Sequence, residues 1–136
     1  MTRRLAVLMS IAVLLLVGCG DGDTEQGQKD KVCEEVAELD ASVAQLAALE
    51  PTAANVPRVR ELRSLMESQY GDVQDAAEDA SGITIEPVTQ AYNTVLRSIQ
   101  GVNDQATLAQ AESGIDDAAG QLSNARLELH TNARCA

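Results

Sequence analysis

The chain has 136 residues, 21 acidic against 10 basic side chains and a net charge of −11, with no Trp, no Phe and two Tyr. An acidic surface of this size repels phosphate backbones, which excludes nucleic-acid binding, and two rings are too few for base-stacking or sugar platforms and quaternary-ammonium cages. The length allows one domain at most.

Arg3 and Arg4 open the chain, and an apolar run follows from Leu5 to Val17, interrupted only by Ser10. Thirteen helical residues rise roughly 20 Å, short of the ~30 Å hydrocarbon core, so the run reads as an export signal rather than a transmembrane helix. It ends in Leu16-Val17-Gly18-Cys19. There is no Ala-x-Ala-like site for a non-lipid signal peptide, and Arg3-Arg4 lies too close to the N-terminus for a twin-arginine signal. The Leu-Val-Gly-Cys exit resembles the lipobox of bacterial lipoproteins. That resemblance implies removal of residues 1–18 and lipidation, including palmitate-type acylation, at the sulfur and new amino group of Cys19. The expected location is the extracytoplasmic face of a cell membrane. Without Arg3 and Arg4, eight basic residues stand against 21 acidic ones, so lipid rather than charge must hold the chain at its membrane.

Residues 20–29 are polar and Gly-rich, which suits a flexible tether over 19–29. Asp21, Asp23 and Glu25 alternate like the start of a calcium loop, but Gln26 stands where such a loop needs Gly and Val32 where it needs Glu. The folded domain is expected over 30–136.

A first helix is expected from about Asp30 to Leu49, because Val32, Val36, Leu39, Val43 and Leu46 recur at steps of four and three. Pro51 follows, and Pro57 suits the first turn of a second helix that runs to about Ala80. Its seam is Val59, Leu62, Met66, Val73, Ala76 and Ala80, with Gln69 as the polar member. Ser81-Gly82 ends it. Thr84 can cap a third helix with Pro87 in its first turn and a seam of Val88, Tyr92, Val95, Ile99 and Val102. The fourth seam is the most regular: Leu108, Ala111, Ile115, Ala118, Leu122, Ala125 and Leu129. Gly114 and Gly120 each weaken that helix by about 1 kcal/mol relative to Ala.

The third seam, continued past Val102, would use Ala106, whereas the fourth uses Leu108. Two residues rotate a helix by about 200°, so one straight helix would aim its two seams in nearly opposite directions. A turn at 101–104, with Asn103 or Asp104 as cap, is the better reading; a single kinked helix over 86–130 is the alternative. The expected fold is therefore all-α, an up-down-up-down four-helix bundle.

Lipidation of Cys19 leaves Cys33 and Cys135, a pair that oxidises outside the cytoplasm. Cys33 opens the first helix and Cys135 follows the fourth, and an even number of antiparallel passes brings those two ends to one pole. A Cys33–Cys135 disulfide is expected to close that pole.

Val32-Cys33, Leu39, Ser42-Val43, Leu46, Leu49-Glu50-Pro51-Thr52 and the near-terminal Cys135 make residues 31–136 resemble a group of small exported proteins of high-GC Gram-positive bacteria. The resemblance implies a secreted or lipid-anchored helical protein and carries no catalytic residues across.

No Gly-x-Ser-x-Gly, His-Glu-x-x-His or Gly-rich phosphate loop occurs, and His130 is the one histidine. It stands near the end of the fourth helix, where a cation complements the helix dipole. No metal ligand set and no cofactor are expected. Asp72, Asp75 and Asp79 share a helix face and form a weak acidic patch, as Asp116-Asp117 do on a smaller scale. Tyr92 belongs to the core, whereas Tyr70 beside its seam suits either core or interface. The expected role is structural or protein-binding rather than enzymatic, with an envelope protein or a second copy of the chain as partner. The alternative is an envelope lipoprotein that binds a small ligand or divalent cation.

Overall fold

The computed structural model describes residues 24–136, which form α1 (Glu25–Ala47), α2 (Val56–Asp79), α3 (Glu86–Ile99) and α4 (Gln105–Ala133). A short 3-10 turn, Ala53–Asn55, leads into α2. The signal segment 1–18 and Cys19 lie outside the described residues.

Helix α1 begins before the expected start near Asp30, so residues 25–29 belong to the helix and not to the tether. Local chemistry explains the shift. Thr24 takes an extended conformation and its side chain accepts a hydrogen bond from the Gly27 N–H, satisfying one of the orphan donors of the first turn. One turn on, Lys29 Nζ meets Glu25 Oε1 at 2.6 Å and holds that carboxyl below its usual range. Gln26 Nε2 also donates to Asp30 Oδ1 and to the carbonyl of Arg134, each at 3.0 Å, so the extra turn is tied to the other end of the domain.

Four antiparallel passes follow. Helix α1 packs against both α2 and α4, and α4 packs against α3, while α2 and α3 touch only sparingly. The heptad seams supply the core. Every expected seam residue of α1 is at most 1% exposed, and Leu62, Met66, Val95 and Leu122 are fully enclosed. Burial of each large side chain contributes about 1.5–3 kcal/mol before the entropy of ordering is set against it. Three seam positions are only half-buried: Gln69, the polar member of the α2 seam, Val102, which lies beyond the end of α3, and Ala111 in the second turn of α4. Ala91 and Ala133 are buried in addition.

The α3–α4 connection is a genuine turn. Helix α3 stops at Ile99, and Asp104 starts α4 with a capping box: its side chain accepts from Thr107 N at 2.8 Å while Thr107 Oγ1 accepts from the Asp104 N–H. Hydrogen bonds donated to its Oδ1 by the Thr107 N–H and the Thr107 hydroxyl hold the Asp104 carboxyl below its ordinary range. Further along, Gly114 permits close helix approach, since a Cβ there would stand 2.7 Å from Ser98 Oγ. Ala91, two turns before Ser98, lies on the same flank of α3.

The sparse α2–α3 edge is bridged by rings. Tyr70 stacks on Tyr92 with centroids 4.2 Å apart and an interplanar angle of 16°. The Tyr70 hydroxyl donates to Thr89 Oγ1 at 2.8 Å, which gives this half-buried residue a core-sealing role. Burial, reinforced by Glu67, pushes the Tyr92 phenol up. Beside this edge Gln69, the polar member of the α2 seam, buries Oε1 with no hydrogen-bond partner. A buried acceptor left unmade costs about 1–3 kcal/mol. Gln69→Leu is therefore expected to raise stability by about 1 kcal/mol, read as a higher urea midpoint with an unchanged m-value; an unchanged or lower midpoint would contradict this.

Candidate functional site

The residues with distinctive chemistry gather at the pole where α1 begins and α4 ends. Cys33 sits in the third turn of α1. Cys135 reaches it because α4 ends in a left-handed residue: Arg134 has φ 54°, and its N–H and that of Cys135 both donate to the His130 carbonyl. This turn directs the chain across to α1. The Cys33–Cys135 disulfide is formed, with the two Cα atoms 6.4 Å apart.

Polar contacts brace the same α1–α4 seam. Arg126 Nη1 meets Asp40 Oδ2 at 2.7 Å, and the Ala136 N–H donates to Asp30 Oδ1 at 3.0 Å. A surface cleft of about 340 Å³ lies between them, lined by Asp30, Glu34, Arg126, His130 and both cysteines. His130 is exposed in the last turn of α4. While both sulfurs are bonded to one another, the cleft contains no thiol that His130 could activate as a nucleophile.

A second depression, about 210 Å³, lies between the α2–α3 turn and the end of α4, against the buried Val88 and Leu129. Its polar residues Thr84, Glu128 and Asn132 are all exposed, so none works in the dry surroundings that strengthen a polar contact.

Asp72, Asp75 and Asp79 are exposed on α2. Among the described residues, no group of three His, Cys, Asp or Glu side chains is placed to hold a metal ion. Asp72 instead acts on α1. Burial pushes the Glu35 carboxyl above its ordinary value, and Glu38 and Asp72 add to the effect. For a carboxyl raised on folding, the native state holds the proton more tightly, so stability falls as pH rises from the unfolded value through the folded one. Glu35→Gln is expected to be more stable than the parent at neutral pH and to lose that advantage in acid. Urea titrations at the two pH values check this, and a variant less stable than the parent at neutral pH would refute it.

Asp40 and Arg126, and Gln26 with the Arg134 carbonyl, stand out only in the structure. Each pair is separated by most of the domain, and no local sequence pattern couples them. The chain matches no protein-family model, no curated protein and no solved structure.

Proposed function

We propose that this is a lipid-anchored, extracytoplasmic helical protein with a structural or protein-binding role and no catalytic one. The observation that carries the reading is the pairing of the remaining cysteines once Cys19 is assigned to lipid: Cys33 and Cys135 are bonded to each other. Disulfides persist in oxidising compartments, which fits export, and the Leu16–Cys19 exit supplies the lipid attachment that an acidic chain requires. The bundle spends its apolar seams on its own core, so a protein partner, whether an envelope protein or a second copy, would meet the exposed helix faces.

Cell fractionation tests the reading. The parent chain is expected in the membrane fraction with a mature N-terminus at an acylated Cys19, and Cys19→Ala, which has no other cleavage site, as a longer unacylated precursor that keeps residues 1–18. An unmodified Cys19 in the parent, or a Cys19→Ala chain processed to the same mature length, would overturn it.

A further inference from the structure

We infer that two copies of the chain pair antiparallel across the α2–α3 edge, each setting the basic end of that edge on the acidic end of the other. This deepens the protein-binding reading proposed above, on which it rests, and is independent of the lipid. Helix α2 divides at Tyr70. Its three arginines, Arg58, Arg60 and Arg63, stand before that residue, and the four charges after it are all acidic: Asp72, Asp75, Glu78 and Asp79. A helix alone favours the reverse, acid at its start and base at its end. Within α2, Glu61 pairs with Arg58 and Glu67 with Arg63, each at 2.9 Å. Arg60 meets no carboxylate among the described residues. Helix α3 carries two charges, Glu86 in its first turn and Arg97 in its last. Arg97 donates to the Thr94 hydroxyl at 3.3 Å and likewise meets no carboxylate among the described residues.

Arg60, Glu78, Glu86 and Arg97 share one surface. Eighteen residues, five helical turns, separate Arg60 from Glu78, and eleven, close to three turns, separate Glu86 from Arg97. Each arginine therefore lies on one line with an acid of its own helix. Glu78 and Glu86 line a single cleft of about 360 Å³ between the end of α2 and the start of α3, beside the half-buried Ala77 and Ile85. The midpoint of the first line is residue 69 and that of the second falls between 91 and 92, level with the Tyr70–Tyr92 stack. A two-fold axis through the stack and across the helices sets Arg60 on Glu78 of the second copy, and Arg97 on Glu86 of the second copy. An axis along the helices instead sets Arg60 near Arg97 and Glu78 near Glu86, like against like, so charge selects the antiparallel pair. Other faces are poor competitors, because the chain as a whole carries a net charge of −11 and its copies repel. The edge is roughly 27 Å long and two helices, about 20 Å, wide, so the pair buries about 1,000 Å² in total, the size of a weak specific interface. Lying along a membrane, such a pair keeps the Thr24 caps of both copies beside it, so two anchored chains can associate this way.

Native mass spectrometry of the full chain released from detergent micelles counts the copies. A dimer is expected in about 20 mM ammonium acetate, where charges act over roughly 20 Å. In about 500 mM, where they act over about 4 Å, the dimer fraction should fall several-fold. Arg60→Glu with Arg97→Glu leaves the edge acidic at both ends, and Glu78→Arg with Glu86→Arg leaves it basic at both; all four positions are exposed. Each double variant alone should be monomeric, and an equimolar mixture of the two should restore a dimer of mixed mass. A parent that stays monomeric in low salt, a dimer that persists in high salt, or a double variant that dimerises as the parent does overturns the inference. So does a mixture of two helical variants that stays monomeric, or a ladder of larger oligomers, which means an open head-to-tail contact. The salt response of the parent decides even where a variant fails to fold. The same spectra read the acyl mass on Cys19: an unmodified Cys19 defeats the proposed anchoring and leaves the dimer standing, whereas an acylated monomer does the opposite.

Discussion

Replacing Cys33 and Cys135 together with Ala, in a Cys19→Ala background, is expected to lower the free energy of unfolding by about 3–5 kcal/mol. The sequence separation is 102, and closing a loop of that size is worth about 4.7 kcal/mol in the chain-entropy model. A domain of about 110 residues has a total stability of roughly 6–17 kcal/mol, so the bond accounts for a large share. The double variant should still be helical, because the seams and not the sulfurs form the core. Urea unfolding of the two chains, with and without dithiothreitol, measures the difference. Reductant should destabilise the parent to the level of the variant and leave the variant unchanged. A difference below about 1 kcal/mol would show that α1 and α4 are held together without the bond.

Leu122→Ala is expected to cost about 3–5 kcal/mol, near the upper end for such truncations. Leu122 is fully buried in α4, and its seam neighbours Ala118 and Ala125 are too short to fill the cavity. Leu127→Ala provides the contrast. That side chain is 59% exposed on the same helix, so its loss should change stability by less than about 0.5 kcal/mol. Thermal melts are sufficient to separate the two, because at this size each kcal/mol shifts Tm by several degrees. Equal effects from the two substitutions would mean that the α4 seam is not the buried one.

The seams and the pole were legible in the sequence because they follow from short-range rules. Heptad spacing selects one face of a helix, and Val36, Met66, Ile99 and Leu122 obey it without regard to partners. The α3–α4 turn was legible from a phase change of two residues between Val102 and Leu108, and the disulfide from parity: an even number of passes returns the chain to where Cys33 began. The start of α1 was obscured by composition, since Gly27 and its polar neighbours look like a spacer. What makes them helical is a cap at Thr24 and a contact between Gln26 and the distant Arg134 carbonyl. Which edges of the bundle are tight was equally hidden. A seam specifies that a face is covered, but the closeness of α3 to α4 depends on Gly114 meeting Ser98, and the α2–α3 edge depends on the stacked tyrosines.

The position of α1 between α2 and α4 has a consequence for how the molecule is made. A chain that emerges N-terminus first can complete the α1–α2 hairpin early, but the other flank of α1 stays uncovered until α4 arrives. At about 5–20 residues per second, Cys33 waits roughly 5–20 s for Cys135, which follows 102 positions later. Once the chain is in an oxidising compartment, the thiol nearest to Cys33 in sequence is Cys19, fourteen residues away, and the shorter loop closes at lower entropic cost. Under the proposed lipidation, acylating Cys19 takes this competitor away, so the anchor also acts as a proofreading step for the fold: it leaves Cys33 only one sulfur with which to pair.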